Sequence, residues 1–258
     1  MSQNPSLPQP PPAQPAGVDL DALRKRAARS IRHPLTRTLL ALTFTTGLVD
    51  AVSYLGLGHV FTANMTGNVV LLGFGIAGAG GLPVIAPLVS LGAFLVGAAS
   101  GGVFGSRVAA RQPRNLSGAL MIEASTVGIA ALLTALLDVR AGSLSGYAVI
   151  ALLAFAMGVR NATVRRIGLA DMTTTVLTMT LTGFASESPV VGGSAAGSTR
   201  RVAAVLTMLT GALAGALLVR TSLFLPLLLA SALALVSALV YAPAIRREAA
   251  HESLTSGQ

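Results

Sequence analysis

The sequence predicts an all-α, polytopic integral membrane protein. Six transmembrane helices and two shorter re-entrant or broken half-helices are expected, arranged as an inverted internal repeat, with eight full spans as the alternative. Three observations lead there. Of the 258 residues, 53% are hydrophobic and 10% charged, with a mean hydropathy of +0.73; soluble domains carry about 25% charged residues, so a water-facing surface could hardly be assembled from so few. The apolar residues fall in long runs. Two further runs are apolar but rich in Thr, Asn and Gly, and they resemble each other.

In chain order, residues 1–35 are expected to be a disordered, Pro-rich, basic cytoplasmic tail. Pro5, Pro8, Pro10, Pro11, Pro12 and Pro15 sit among Gln, Ser and Ala, a composition that cannot make a core. Arg24, Lys25, Arg26, Arg29 and Arg32 follow, then Arg37. No apolar stretch with a small-residue cleavage site lies near Met1, so no cleaved signal peptide is expected. Asp21–Ser30 admits a short amphipathic helix on an anionic membrane surface; a solvated basic linker is the simpler reading.

Residues 36–242 form the expected transmembrane domain, with repeat halves at about 36–138 and 143–242; residues 243–258 are a second cytoplasmic tail. The spanning stretches are 36–57, 84–106, 118–138, 143–159, 201–219 and 222–242, since about 20 residues cross a hydrocarbon core of about 30 Å. Stretches 60–79 and 170–186 are the polar ones. Cytoplasmic loops of membrane proteins are enriched in Lys and Arg. If both polar stretches enter and leave on one side, only Arg140 and Arg220 fall outside the cytoplasm; eight full spans would scatter the bases over both faces. The expected location is the bacterial cytoplasmic (inner) membrane, with both termini cytoplasmic.

The repeat is read from order. Gly47-Leu48-Val49-Asp50-Ala51 precedes Met65-Thr66-Gly67-Asn68-Val69, and Gly158-Val159-Arg160-Asn161-Ala162 precedes Met172-Thr173-Thr174-Thr175-Val176. The following helices match loosely, Gly92-Ala93 and Gly97 with Gly211-Ala212 and Gly215. Three full spans per half make the second half inverted, an arrangement that brings two half-helices toward the midplane from opposite sides.

Thr43, Thr46, Asp50 and Ser53 recur at intervals of three and four on the first span, beside Gly47 and Tyr54, and so share one face. A carboxylate at mid-span costs about 2.5–3.5 kcal/mol on insertion scales, which turns that face to the bundle interior. The candidate substrate or ion pathway comprises Asp50, Asn64, Thr66, Asn68, Asn161, Asp171, Thr174 and Thr178. Two readings of Asp50 stand side by side: proton exchange in a pathway, or a cap on the broken backbone of a re-entrant segment. Asp171 fits an N-cap before Thr174 better. Glu123, early in the third span, fits a position near enough the cytoplasmic face to be solvated. Gly97, Gly101, Gly105, Gly211 and Gly215 have the spacing of close helix packing, within the monomer first and in a homo-oligomer second.

Catalysis finds no constellation. His33, His59 and His251 are the histidines and cysteine is absent, so no thiol chemistry, metal site or Ser/His/Asp set is expected, nor any cofactor; the chain is not expected to be an enzyme. A net charge of +9 lies between apolar runs without a helix-turn-helix, zinc-finger or RNP pattern, so nucleic acid is not an expected partner. The partners are the lipid bilayer and an unknown small solute.

The stretch Gly47-Leu-Val-Asp-Ala-Val-Ser-Tyr, with Phe61-Thr-Ala-Asn-Met-Thr-Gly-Asn68 and Asp171-Met-Thr-Thr-Thr-Val-Leu-Thr178, resembles the YoaK family of bacterial membrane proteins, which carry domain of unknown function 1275. The likeness covers about residues 38–242, with the Pro-rich N-terminal extension outside it. It implies a bacterial inner-membrane protein of about six spans and brings no substrate, reaction or cofactor. The functional expectation is therefore a small-solute transporter open to proton coupling, with a non-transporting membrane scaffold or accessory subunit as the alternative.

Overall fold

The computed structural model describes residues 33–107, 112–167, 177–186 and 198–255. All regular structure there is helical. The helices are α1 (Pro34–Gly56), α2 (Met65–Ile76), α3 (Ile85–Arg107), α4 (Gln112–Leu136), α5 (Leu144–Ile167), α6 (Leu177–Ser186), α7 (Ser198–Val219) and α8 (Phe224–Thr255), with a 3-10 turn at Ala79–Gly81. Six of them, all but α2 and α6, are long and apolar enough to cross a membrane. The 12 residues of α2 rise about 18 Å and those described for α6 less, short of the roughly 30 Å a crossing needs. The expected six crossings and two short helices are thus present.

Local chemistry sets the start of α1. His33 is its N-cap, with Nδ1 accepting the Leu35 amide N–H at 3.2 Å, and Pro34 occupies the first helical position, where its missing N–H costs nothing. The helices also run further than the apolar pattern. α5 continues past residue 159 to Ile167, α4 begins at Gln112 inside the expected 107–117 loop, and α8 carries Pro243 and remains helical to Thr255. The expected cytoplasmic tail at 243–258 is therefore helical as far as Thr255. Hydropathy registers where lipid ends, while a helix continues as long as its backbone bonds are favourable.

α1 and α5 are the most buried crossings. α7 packs along α1 and α3 along α5, while α4 and α8 pair with each other and cover α5 and α1 respectively. One apolar cluster joins Leu48, Val49 and Val52 of α1 to Val149, Ile150 and Leu153 of α5; a second joins Leu35, Leu39 and Leu42 to Leu116 and Leu120 of α4. Most of the remaining helix surface is apolar and exposed, as at Leu95, Leu132, Leu209 and Leu239, the pattern of a lipid-facing wall.

Glycine makes two of these packings possible. A Cβ on Gly211 would lie 2.2 Å from the Phe44 carbonyl oxygen, and one on Gly47 2.5 Å from the Ala212 amide nitrogen. At the other crossing, a Cβ on Gly97 would lie 2.2 Å from the Phe155 carbonyl oxygen, and one on Gly158 2.2 Å from that of Phe94. Gly215 and Gly101 continue the two contacts, against Ala51 and Val159. Backbone lies on backbone at both places, the small-residue packing that stands in for hydrophobic driving force in lipid. Gly105 lies further along α3. Gly92, matched above to Gly211, has nothing within 4 Å; in the packing, Gly97 is the counterpart of Gly211 and Gly101 that of Gly215.

Candidate functional site

α1 ends in a turn through Gly58 and His59, both with positive φ (100° and 57°). The chain then runs back beside α1 as residues 60–64 before α2 begins. Non-helical backbone at membrane depth must have its polar groups satisfied by protein. Here side chains do it. Asp50 Oδ1 accepts the amide N–H groups of Thr62 at 3.2 Å and Ala63 at 3.0 Å. Asn68, fully buried on α2, holds Phe61 from both sides: its Oδ1 accepts the Phe61 N–H at 2.9 Å, and its Nδ2 donates to the Phe61 carbonyl at 2.6 Å. Ser90 of α3 accepts from Asn68 Nδ2 at 3.0 Å and donates to the same carbonyl at 2.7 Å. Asn64 caps α2 by accepting the Gly67 N–H at 3.2 Å. Thr62 Oγ1 is the buried hydroxyl this arrangement leaves unpartnered among the described residues.

Between this re-entrant unit, α1 and α7 lies a cavity of about 770 Å³, lined by Thr46, Asp50 and Tyr54 of α1, by Phe61, Asn64, Thr66 and Val70, and by Thr178 of α6 with Met208 and Ala212 of α7. Its size is that of a small-molecule site. Tyr54 and Phe61 stack along one side, ring centroids 4.9 Å apart and planes 25° apart. Asp50 Oδ2 takes no hydrogen bond from the described residues, and Asp50 is a wall of the cavity. Among the described residues, the lining contains no Lys, Arg or His.

Of the expected pathway residues, Asp50, Asn64, Thr66 and Thr178 meet here. Asn68 is withdrawn into the re-entrant backbone, where its amide is fully used. Asn161 donates to the Met157 carbonyl of its own helix at 2.9 Å and is not part of the cavity wall. Asp171 and Thr174 lie outside the described residues.

The largest departure from expectation is at Glu123 and Arg160. Glu123 is not solvated and Arg160 is not a loop residue: they are 1% and 0% exposed and form an ion pair across α4 and α5. Arg160 Nε donates to Glu123 Oε2 at 2.7 Å, and Nη2 donates to Glu123 Oε1. Nη1 donates to the Leu42 carbonyl at 2.9 Å and to Thr46 Oγ1 at 2.7 Å, and Nη2 also to Thr45 Oγ1 at 2.8 Å. All five guanidinium N–H groups are therefore engaged, tying α5 to α4 and α1. Thr46 belongs to both constructions, holding Arg160 and facing the cavity. Arg200 and Arg201, expected at the cytoplasmic start of the 201–219 span, are buried in the first turn of α7. The signal for the ion pair was in the sequence: an acid and a base each inside a long apolar helix must find partners. Ending the fourth span at residue 159 hid it.

The comparisons with known proteins agree that this is a transmembrane protein. The chain is 35% identical over 152 residues to the UPF0700 transmembrane protein YoaK of Bacillus subtilis (strain 168), an alignment covering 58% of this chain and 66% of the relative, just under two thirds of its length. No solved structure matches. The family described as protein of unknown function (DUF1275) matches residues 38–240, the helical bundle and its re-entrant unit together, and the chain belongs to that family of transmembrane proteins.

Proposed function

We propose that the chain is a small-solute transporter of the bacterial inner membrane, with both termini cytoplasmic and its solute bound in the cavity beside Asp50. The observation that carries this reading is a buried carboxylate in the wall of a molecule-sized cavity, with one oxygen committed to the fold and the other taking no hydrogen bond from the described residues. Charged groups within membrane helices are costly and mark pathways, and broken helices bordering a cavity are a recurrent device of secondary transporters. The two glycine crossings support an internal repeat: adding 111 to Phe44, Gly47, Leu48 and Ala51 gives Phe155, Gly158, Val159 and Ala162, each meeting the counterpart helix in the same way. On this reading α1, α3 and α4 correspond to α5, α7 and α8, an odd number of crossings per half and hence an inverted pair.

Purified protein in liposomes, screened for uptake with and without an inward proton gradient, tests the proposal. Accumulation of a solute that the gradient accelerates, and that Asp50→Asn uncouples, is the expected result. If Asp50→Asn kept coupled uptake at the wild-type rate, Asp50 would have no coupling role. Absence of any uptake, with a stoichiometric protein partner co-purifying in mild detergent, would instead favour a scaffold or accessory subunit.

A further inference from the structure

We infer that the cavity binds a small organic ammonium ion, an amine carrying an apolar group, with its charge against Asp50 Oδ2. The inference rests on the cavity being the solute site proposed above and adds the class of ligand.

Charge comes first. Asp50 is the one carboxylate among the described lining residues, and none of those is Lys, Arg or His. The nearby guanidinium of Arg160 is already matched by Glu123 within the bundle, so it offers no donor to a ligand. A bound anion would have to lie against an uncompensated carboxylate in surroundings of low dielectric, where like charges repel strongly. An ammonium group meets the opposite situation: Oδ1 is held by the Thr62 and Ala63 amides, so the carboxylate is fixed in place, and Oδ2 has no competing donor among the described residues.

The start of α2 also borders the cavity, and a helix N-terminus favours anions. This end is already served. Asn64 Oδ1 caps it at Gly67 N–H, and Asp50 itself supplies the negative charge just ahead of it. The N-terminal field is therefore one reason Asp50 sits where it does, and it leaves the free oxygen for a cation.

Shape and surface give the rest of the ligand. The Tyr54–Phe61 stack, Leu55, Val70, Leu71 and Met208 make most of the remaining wall apolar. Gly67 allows this, because a Cβ there would come within 2.8 Å of the Phe61 ring. Asn64, Thr66 and Thr178 contribute the polar rim. A bare metal ion would find one free carboxylate oxygen and a largely hydrocarbon wall, too few ligands for a hard cation. An alkyl- or arylammonium ion uses both parts.

The test is calorimetric titration of the purified full chain in detergent with four ligands of one shape: benzylammonium, benzyltrimethylammonium, benzyl alcohol and benzoate. The ammonium ions are expected to bind about tenfold or more tighter than benzyl alcohol, with benzoate weakest. Asp50→Asn should erase this order. It keeps an oxygen for the Thr62 and Ala63 amides, so its fold is checked by its unfolding temperature. Tyr54→Leu should weaken all aromatic ligands while preserving the preference for charge. Benzoate or benzyl alcohol binding as tightly as the ammonium ions, or a preference that survives in Asp50→Asn, overturns the inference. The two proposals fail separately. Uptake of a neutral or anionic solute without ammonium binding would sink the cation site and leave transport standing; ammonium binding at Asp50 without uptake would do the reverse.

Discussion

Glu123 and Asp50 are both carboxylates enclosed by apolar helices, and the bundle uses them in opposite ways. Glu123 gives both oxygens to Arg160, whose other N–H groups end on the Leu42 carbonyl and on Thr45 and Thr46. Nothing at that site is left to interact with a ligand. Asp50 gives one oxygen to the backbone of the re-entrant segment, leaves the other without a hydrogen bond from the described residues, and stands in the wall of a cavity. The first acid is a tie between α4, α5 and α1; the second is a cap with a free end. The contrast shows that an ionisable residue inside a membrane bundle is not by itself a mark of function: what matters is whether its partners exhaust it. Thr46 joins the two regions, touching Arg160 on one side and the cavity on the other, so the rigid pair backs the wall of the candidate site.

The comparison can be broken most severely at the tie. Glu123→Ala leaves a fully buried guanidinium without its counter-charge, and removing one member of such a pair costs about 3–5 kcal/mol. Thermal unfolding in detergent should show a large drop in stability. The double variant Glu123→Gln with Arg160→Met, which removes both charges, should recover much of it. If Glu123→Ala unfolded like the parent, the pair would not be the tie described.

A smaller loss is expected where the re-entrant backbone is held. Asn68→Ala strips the partner from the Phe61 N–H and weakens the hold on its carbonyl, which keeps Ser90. An orphaned buried polar group costs about 1–3 kcal/mol. The same unfolding measurement should register it, together with faster proteolysis between α1 and α2. Wild-type resistance in both would mean that Asn68 does not brace this segment.

Least affected in stability should be Asp50→Asn. The side-chain oxygen can still accept from Thr62 and Ala63, so its unfolding midpoint is expected to stay close to the parent's, within about 1 kcal/mol, while ligand preference in the cavity changes. A collapse in stability comparable to that of Glu123→Ala would erase the distinction between the two acids.

Much of this was legible in the residues. The count of crossings follows from run length and from the sparing use of charge. The inward face of α1 follows from Thr43, Thr46, Asp50 and Ser53 at helical spacing, and the re-entrant stretch announced itself by Asn64, Thr66, Gly67 and Asn68 in an otherwise apolar run. What the pattern left open was the work of each polar group. Asn64 and Asn68 look alike in the sequence, yet one lines the cavity and the other is spent on Phe61. Thr178 comes to the same cavity from more than a hundred residues away, which no local spacing could indicate.

Hydropathy is additive and local, and lipid acts on each segment independently; the sequence alone therefore determined a six-crossing helical bundle with interruptions and the inward turn of Asp50. Hydrogen bonds and ion pairs are specific and join residues distant in the chain. Only the tertiary structure could decide that Glu123 meets Arg160, 37 positions on, that Gly47 meets Gly211 and Gly158 meets Gly97, and that Asp50 holds the re-entrant backbone with one oxygen while its side chain lines the cavity.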